Sequence, residues 1–298
     1  MTTAFVLSGG GSLGSVQVGM LQALEDRGVA PDLLIGTSAG ALNAAYLAGH
    51  GMSHRSLAYL AQIWCGLRRQ TVFPFDPLRH LLALAGSKPS LCPNRGLRQL
   101  IQRHLPYHRL EEAAIPVYIV TTNLLSGEEV LLSRGDALSA VLASAAIPGV
   151  LPPVVREGLT LVDGGVADNT ALSQAISLGA DVIYALPAGF ACALERAPRG
   201  ALGAAVQALT LLIEQRLIME VAHLASHVDI RVLPPLCPLA VSSIDFTHGA
   251  ELIERAHQAT ADWLDRGGPS LPHPQRFLSL HHHGVRGQAR AAQGDPGS

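Results

Sequence analysis

Ser38 stands between two glycines, at the junction of an apolar run and an alanine-rich stretch. Gly36 and Gly40 lie two positions to either side, which is the G-x-S-x-G spacing of a nucleophile turn between a strand and a helix. Glycine is favoured at both positions because a Cβ atom would clash in so sharp a bend. The serine oxygen then projects outward, beside the positive end of the following helix and its free backbone N–H groups. The pattern therefore predicts a nucleophilic serine.

The same spacing can arise by chance, because the chain has 30 glycines among 298 residues. Its surroundings favour the catalytic interpretation. Residues 32–35 form a short apolar run of strand length, and residues 39–48 have the composition of a helix. The strand, turn and helix that the motif requires are thus all predicted.

A second glycine cluster, Gly9, Gly10 and Gly11, follows the first predicted strand and opens a helix. It allows three interpretations: a pyrophosphate cradle for a dinucleotide, backbone donors for an oxyanion, or a tight turn without a further role. A dinucleotide site needs an acidic residue at the end of the second strand, whereas Asp32 lies at the beginning of that strand. We therefore expect no nucleotide cofactor. Since both glycine loops follow neighbouring strands, we expect them to meet at one edge of the sheet, where glycine N–H groups could face a carbonyl attacked by Ser38.

A serine nucleophile also needs a base, and Asp163 is the strongest candidate. It follows the apolar run 159–162, ends a predicted strand on the same edge of the sheet, and precedes Gly164 and Gly165. Its alternative role is that of a carboxylate that caps a turn or a helix. Asp168, in the same loop, is a rival for the base.

These side chains can meet only if the elements between them fold in a particular order. Strand-like runs alternate with helical patterns along the chain, which predicts an α/β fold with a mainly parallel, layered sheet and with functional groups at the carboxyl ends of its strands. The predicted strands are 4–8, 32–35, 116–122, 129–132, 160–162, 181–186 and 228–233. The predicted helices are 14–27, 39–48, several within 53–105 that begin near Ser53, Pro77 and Asn94, then 136–146, 171–178, 201–226 and 249–266.

The composition bounds the architecture and the partners. With 48% hydrophobic residues the chain can bury one substantial core, so we expect a single domain over residues 1–266 and a loosely ordered tail over 267–298. The net charge is −2 and no Lys/Arg cluster is present in the sequence, which makes nucleic acid an unexpected partner. The run His281, His282 and His283 could bind a metal, but adjacent histidines in such a tail seldom serve catalysis. We predict no metal in the catalytic site.

Compartment and membrane contact follow from the cysteines and the apolar stretches. Four cysteines without a C-x-x-C spacing indicate free thiols in a reducing compartment. The start of the sequence lacks the basic and apolar regions of a secretory signal. The apolar stretch 200–213 ends at Glu214, shorter than a membrane span, and is predicted to be a buried helix. We therefore expect a cytoplasmic protein that could contact a membrane surface transiently.

Taken together, the motifs resemble those of the patatin-like phospholipase family, with a glycine-rich loop, a G-x-S-x-G turn and a D-G-G turn in this order. The resemblance runs over residues 5–169 and includes the segments 36–44, 143–153 and 163–169. It implies a three-layer α/β/α sandwich with a mainly parallel central sheet. It also implies a serine acyl hydrolase that cleaves carboxylic esters of lipids through an acyl-enzyme and without a metal or organic cofactor. Carried over by position, the nucleophile is Ser38, its base is Asp163, and the oxyanion hole is formed by backbone N–H groups around Gly9, Gly10 and Gly11.

The sequence departs from the family pattern at Leu13, where members often have an Arg or Lys that could meet a lipid phosphate. A simple ester or a neutral lipid is therefore as plausible a substrate as a phospholipid.

Two other interpretations remain open. A Ser-His-Asp triad would use one of the histidines that follow the aspartate motif, and a lipid-binding protein on the same fold would use none of this chemistry. The candidate histidines are His223, His227, His248 and His257. The sequence does not predict the oligomeric state.

A greasy substrate needs access to the serine. The segment 71–84 could form a lid or rest on a bilayer, although such an apolar stripe is more often part of a core. Its large apolar residues are Phe73, Phe75, Leu78, Leu81 and Leu82.

Overall fold

The structure, a computed structural model, describes residues 1–198, 200–225, 228–271, 274, 278–281 and 283. Within them, eight strands form one sheet. Seven follow the order β5-β6-β3-β2-β1-β7-β8, in which β6 and β2 pair with different parts of the same edge of β3, and β4 pairs with the opposite edge of β3. The strands are β1 Thr3–Leu7, β2 Leu33–Thr37, β3 Val117–Asn123, β4 Glu129–Leu132, β5 Val154–Arg156, β6 Leu159–Asp163, β7 Val182–Leu186 and β8 Asp229–Val232.

Helices cover both faces of the sheet. Among the described residues they are α1 Gly14–Glu25, α2 Ala39–His50, α3 His54–Gly66, α4 Arg69–Val72, α5 Pro77–Leu84, α6 Arg95–His104, α7 Ala137–Ser144, α8 Leu172–Ser177, α9 Ala201–Leu224 and α10 Gly249–Asp265. None of these helices has the length and apolarity needed to cross a bilayer.

The alternation of side chains along the strands divides the core in two. In β1, Phe5 and Leu7 face a core shared with α1, α2 and α10, whereas Ala4 and Val6 face a second core on the other side of the sheet. Helices α8 and α9 contribute to this second core. The result is the predicted three-layer α/β/α arrangement.

The centre of the sheet is parallel, as predicted. Strands β3, β2, β1, β7 and β8 run in one direction, while β4, β5 and β6 form antiparallel pairs at one side. The three-residue strand β5 was not predicted. It follows a pair of prolines and is too short for its pattern to be recognised.

The direction of β6 is the important difference from the expectation. We expected the strand before Asp163 to deliver it to the same edge as the other strands, but β6 runs antiparallel to β3. Thr37, the last residue of β2, pairs with Val120 of β3, and Asp163, the last residue of β6, pairs with Thr121. At both positions β4 occupies the other edge of β3. Strands β2 and β6 therefore run toward one another along a single edge of β3 and end face to face.

Several local signals in the sequence hold in the structure. The hydroxyl of Ser53 accepts a hydrogen bond from the N–H of Ser56 at the start of α3, and Pro77 is the first residue of α5. Gly28, just after α1, has the left-handed φ of 67° that favours glycine there.

Helix α9 does not match the expectation of a buried helix. It packs against the sheet through Leu217 and Val221, whereas Leu212 and Met219 are 65% and 67% exposed. The apolar residues of α9 are spread around the whole helix, so the sequence does not indicate which face is buried. Here only one face packs against the protein.

The predicted tail is in part attached to the body of the protein. Leu278 is only 4% exposed and packs in the second core. Residue 199, the pairs 226–227 and 272–273, and residues 275–277, 282 and 284–298 lie outside the described residues. His227, His282 and most of the predicted tail fall among them, so the boundary at residue 266 stays a prediction.

Candidate active site

Ser38 occupies a strained backbone position between β2 and α2. Its φ of 53° and ψ of −117° are unusual for a residue with a side chain. A Cβ atom at Gly36 would lie 2.5 Å from the carbonyl oxygen of Gly40, and one at Gly40 would overlap the carbonyl oxygen of Leu7. Both flanking glycines are therefore needed for the turn that presents the serine.

The side chain of Ser38 meets the side chain of Asp163 where β2 and β6 end. Ser38 Oγ donates a hydrogen bond of 2.7 Å to Asp163 Oδ2, and the N–H of Gly165 donates one of 2.8 Å to Asp163 Oδ1. Asp163 is only 4% exposed. Burial raises the pKa of its carboxyl from 3.8 to about 6, although both hydrogen bonds act in the opposite direction. Asp163 is thus placed to take the serine proton and is more basic than an exposed aspartate.

The rival carboxylate, Asp168, does not contact the serine. Its Oδ1 accepts a hydrogen bond from the N–H of Thr170, and its Oδ2 lies 3.8 Å from the guanidinium of Arg216. Burial raises the pKa of Asp168, and the nearby Arg216 lowers it. The structure brings Asp163, not Asp168, to Ser38.

The glycine-rich loop lies beside the serine, but its three amides are not equivalent. The N–H of Gly9 donates to Asn169 Oδ1 at 3.0 Å, so this amide is already engaged. Among the described residues, no hydrogen-bond acceptor contacts the N–H groups of Gly10 and Gly11. Of the three expected oxyanion donors, the N–H of Gly9 thus already has a partner in Asn169, and those of Gly10 and Gly11 have none among the described residues.

The space around the loop explains its glycines. A Cβ atom at Gly10 would overlap the side chain of Ala188. Gly11 has a left-handed φ of 59°, and a Cβ atom there would overlap the carbonyl oxygen of Ser243. The loop therefore fits only as bare backbone. Leu13, the position that lacks a family cation, is fully buried in the core.

Three polar residues that the motif analysis did not assign fix the geometry of the site. Ser144 Oγ accepts the N–H of Ser38 at 2.8 Å, and the Thr122 hydroxyl donates to the carbonyl oxygen of Asp163 at 2.9 Å. Asn169 holds both the N–H and the C=O of Gly9. Ser144 and Asn169 could have been singled out from the sequence, because they are polar residues within the segments 143–153 and 163–169 that resemble the family.

Two cavities meet at Ser38. The first contains the serine, Asp163 and the glycine-rich loop. The second is almost wholly apolar and extends from Ser38 between α2, α3 and α6. No Lys, Arg or His lines either cavity among the described residues. The second cavity is lined by Gly11, Ser38, Ala39, Leu42, Trp64, Leu67, Val72, Phe73, Leu97, Leu100, Ala145, Ile147, Leu151 and Phe246.

The histidines considered for a triad have other positions. His248 contacts Glu251 at 3.1 Å, and His257 contacts Asp26 at 2.7 Å. His223 lines a surface groove on α9 and neither of the two cavities. His227 lies outside the described residues.

Two parts of the chain, the segment around Phe73 and helix α9, place apolar side chains both in the cavities and on the protein surface. Phe73 is buried, lines both cavities and packs on Phe246 at 6.1 Å between ring centroids. Close to it in sequence, Phe75 is 76% exposed, and Leu78 and Leu81 of α5 are also exposed. Helix α9 also lines the serine cavity, through Leu209, Thr210 and Ile213. We call the exposed set Phe75, Leu78, Leu81, Leu211, Leu212 and Met219 the apolar rim.

Comparisons with known proteins find a matching family and several relatives. A family model described as patatin-like phospholipase matches residues 5–176, more than half of the chain. Lysophospholipase NTE1 of Pyricularia oryzae is 29% identical over 195 residues, and lysophospholipase nte1 of Neurospora crassa is 30% identical over 195 residues. Each match covers 63% of this chain and 12% of the relative, so the chain corresponds to a small part of these much longer proteins.

Two solved structures match the chain more distantly. VipD from Legionella pneumophila has a TM-score of 0.48 and 17% identity, over 89% of this chain and 67% of that one. Human GIVD cytosolic phospholipase A2, in complex with methyl gamma-linolenyl fluorophosphonate, has a TM-score of 0.44 and 13% identity, over 94% of this chain and 60% of that one.

Proposed function

The chain belongs to the patatin-like phospholipase family, and from this membership and the contacts of Ser38 we propose that it hydrolyses carboxylic ester bonds of lipids. The observation that carries the proposal is the buried hydrogen bond from Ser38 Oγ to Asp163 Oδ2, at the point where the two cavities meet.

In the first half of the proposed reaction, Ser38 Oγ attacks the ester carbonyl while its proton passes to Asp163. The carbonyl oxygen becomes an oxyanion, which the N–H groups of Gly10 and Gly11 stabilise. One such donor contributes about 3 kcal/mol to stabilisation of the transition state. The tetrahedral intermediate then expels the alcohol, which takes the proton from Asp163, and an ester between the acyl group and Ser38 remains.

In the second half, Asp163 accepts a proton from a water molecule that attacks the acyl-enzyme. A second oxyanion forms at the same two amides. Its collapse releases the fatty acid and returns the proton to Ser38 Oγ. A pKa of about 6 suits Asp163 to this role, because the carboxylate is ionised at neutral pH and still more basic than an exposed one.

The substrate class follows from the second cavity. Its apolar lining suits a fatty acyl chain, and each buried methylene contributes about 0.8 kcal/mol to binding. The lack of a cationic side chain in the lining leaves no charged partner for a phosphate within the described part of the cavity. Phospholipids, lysophospholipids and neutral lipids are all candidates, and the names of the relatives favour a lysophospholipid.

Contact with a membrane surface is part of the proposal. The apolar rim lies on α5, just before α5 and on α9, close in sequence to the cavity-lining residues Phe73, Leu209 and Ile213, and large exposed apolar side chains are typical of surfaces that bind lipid aggregates. The lid predicted at 71–84 is revised accordingly: Phe73 belongs to the wall of the cavity, while Phe75, Leu78 and Leu81 belong to the rim.

A fluorophosphonate probe and a small substrate panel test the proposal. We expect the wild-type chain to be labelled at Ser38 and to hydrolyse at least one of a short p-nitrophenyl ester, a triglyceride, a phosphatidylcholine and a lysophosphatidylcholine. The Ser38→Ala variant is expected to lose both properties, whereas Ser173→Ala, which removes an exposed hydroxyl, is expected to keep them. A folded wild-type chain that is neither labelled nor active would favour the lipid-binding alternative. Activity that survives Asp163→Ala but is lost on replacement of a histidine would favour the triad.

A further inference from the structure

Four metal-ligating side chains converge at a place that the proposed reaction does not use. Two are cysteines on the loops that follow β7 and β8. The other two are histidines of the described residues 278–281 and 283, which we call the C-terminal segment. Their ligand atoms all lie within 4.8 Å of one another. The Cys₂His₂ cluster consists of Cys192, Cys237, His281 and His283. None of these residues lines either cavity at Ser38.

We propose that the Cys₂His₂ cluster is a structural Zn²⁺ site that attaches the C-terminal segment to the two loops. Two thiolates and two imidazoles are a donor set that Zn²⁺ binds tetrahedrally, with all four positions filled by protein. Zinc distances of about 2.3 Å to sulfur and about 2.0 Å to nitrogen place neighbouring ligand atoms roughly 3.3–3.8 Å apart.

The distances in the cluster are close to this tetrahedron. The sulfur atoms of Cys192 and Cys237 are 4.0 Å apart. Cys237 Sγ lies 3.1 Å from His281 Nε2 and 3.0 Å from His283 Nε2. Both imidazoles therefore present the same ring nitrogen to the sulfur atoms, and shifts of less than about 1 Å would complete the coordination geometry.

Neighbouring groups orient the ligands as second-layer partners do in zinc proteins. The carbonyl oxygen of Ser279 lies 2.7 Å from His281 Nδ1, where it accepts a hydrogen bond from an Nδ1–H; this tautomer leaves Nε2 with a lone pair for the metal. The N–H of Leu239 donates to Cys192 Sγ at 3.4 Å. These contacts hold both ligand side chains in place at the cluster.

Backbone contacts hold the C-terminal segment at the cluster. The N–H of His283 donates to the carbonyl oxygen of Cys192 at 2.8 Å, and the ring of His281 contacts Phe190 edge-on at 5.7 Å. Leu278 is buried three residues before His281. The histidines are therefore fixed near the sulfur atoms by contacts that do not depend on the metal.

The loops that carry the cysteines also border the glycine-rich loop. Ala188, four residues before Cys192, packs against Gly10, and the carbonyl oxygen of Ser243 accepts the N–H of Ser12 at 2.8 Å. Zinc would thus fix both neighbours of the proposed oxyanion donors. This consequence rests on the proposed function, whereas zinc binding itself does not.

Metal analysis of the full, untagged chain tests the site, because a histidine tag would bind zinc on its own. We expect one Zn²⁺ per chain after purification under reducing conditions, and the spectrum of a tetrahedral cobalt thiolate after exchange with Co²⁺. Cys237→Ser and His283→Gln are expected to weaken zinc binding by about 100-fold or more, since even loss of a partner of a ligand costs 10–100-fold. Cys65→Ser and His54→Gln remove an exposed thiol and an exposed imidazole outside the cluster and are the matched controls.

Stability gives a readout that does not depend on activity. A zinc chelator is expected to lower the melting temperature of the wild-type chain and to leave that of Cys237→Ser unchanged. The proposal is overturned if the reduced wild-type chain fails to take up zinc, or if Cys237→Ser binds it as tightly as the controls. It is equally overturned if the two cysteines are found joined in a disulfide and no zinc binds after reduction.

Discussion

Ser38 Oγ donates a 2.7 Å hydrogen bond to Asp163 Oδ2 although 125 positions separate the two residues. The contact follows from the backbone of the sheet. Thr37 and Asp163, at the ends of β2 and β6, pair with the adjacent residues Val120 and Thr121 of β3. The register of one strand therefore sets the distance between the proposed nucleophile and its proposed base.

Removal of the base without loss of shape is the direct test of this contact. Asp163→Asn keeps an oxygen that can accept the N–H of Gly165 but cannot take a proton, so kcat/KM is expected to fall by about 10²–10⁴-fold. Asp168→Asn is the matched control, because it changes a buried carboxylate of the same loop that does not bond to Ser38; it is expected to retain activity. Equal losses in the two variants would assign the effect to the loop instead of the base.

The pH profile depends on the same carboxyl. Burial raises the pKa of Asp163 to about 6, and only the ionised form can accept the serine proton. With a soluble ester, kcat/KM is therefore expected to be flat above this pH and to fall about tenfold per unit below it. The residual activity of Asp163→Asn should lack this inflection, and a wild-type profile that stays flat down to pH 4.5 would rule out Asp163 as the titrating base.

The length of the apolar cavity is expected to set the preference for acyl chains. Leu100 lines the cavity that begins at Ser38 and the apolar space that continues beyond it. In Leu100→Trp the larger ring would displace two or three methylenes, a loss of roughly 2 kcal/mol or about 30-fold in kcat/KM for long-chain esters, while butyrate esters are unaffected. Leu125→Trp adds the same bulk at an exposed turn and should change neither value. A uniform loss across chain lengths would contradict an acyl site.

If the chain binds lipid surfaces as proposed, we expect the apolar rim to make the contact. The double variant of Phe75→Ser and Leu78→Ser is expected to sediment less with phosphatidylcholine vesicles but to hydrolyse a soluble short ester at the wild-type rate. Leu124→Ser with Leu125→Ser removes similar apolar area from the turn between β3 and β4 and is the control. Unchanged vesicle binding in the rim variant would exclude this surface.

A buried carboxyl on α9 is expected to lower stability at high pH. Burial raises the pKa of Glu214 from 4.5 to about 7, and its Oε1 has no hydrogen-bond partner among the described residues. Between these two values the folded chain holds a proton that the unfolded chain has released, so the free energy of unfolding falls as the pH rises through this window. Glu214→Gln removes this loss.

Melting curves of Glu214→Gln at two pH values test the effect. The variant is expected to be more stable than the wild type at pH 8, by on the order of 3 kcal/mol at most, and to differ little at pH 5. Glu254→Gln, on the exposed face of α10, should show no such dependence. An equal change at both pH values would indicate altered packing instead of ionisation.

The sequence was informative where chemistry imposes a local rule. Gly36, Gly40 and the glycine-rich loop could be predicted because steric overlap excludes residues with a side chain there. Asp163 could be predicted because a carboxylate directly after an apolar strand indicates a specific role. The sequence could not reveal that β6 runs antiparallel, since the pattern of a strand is the same in both directions. It could not reveal that Asn169 takes the N–H of Gly9, since this contact spans 160 positions.

Other features escaped the sequence for the same reason of distance. Cys192 and Cys237 are far apart in the chain and belong to no recognised spacing, so their approach to His281 appears only in three dimensions. The exposed face of α9 could not be read from a helix that is apolar all round. The alternation of strands and helices, by contrast, is a property of each segment alone, and the α/β fold was predicted correctly.

The meeting of the ends of β2 and β6 means that different parts of the chain position Ser38 and Asp163 and line the apolar cavity. Strands β2, β3 and β6 position Ser38 and Asp163, whereas residues 39–116 form most of the lining of the apolar cavity and half of the apolar rim. On the proposed function, insertions or exchanges within that segment that keep Gly40 would change which lipids enter, while Ser38 and Asp163 keep their spacing. Reaction chemistry and substrate choice could then diversify independently, and a graft of this segment from a relative is expected to transfer specificity without altering the contact between the two side chains.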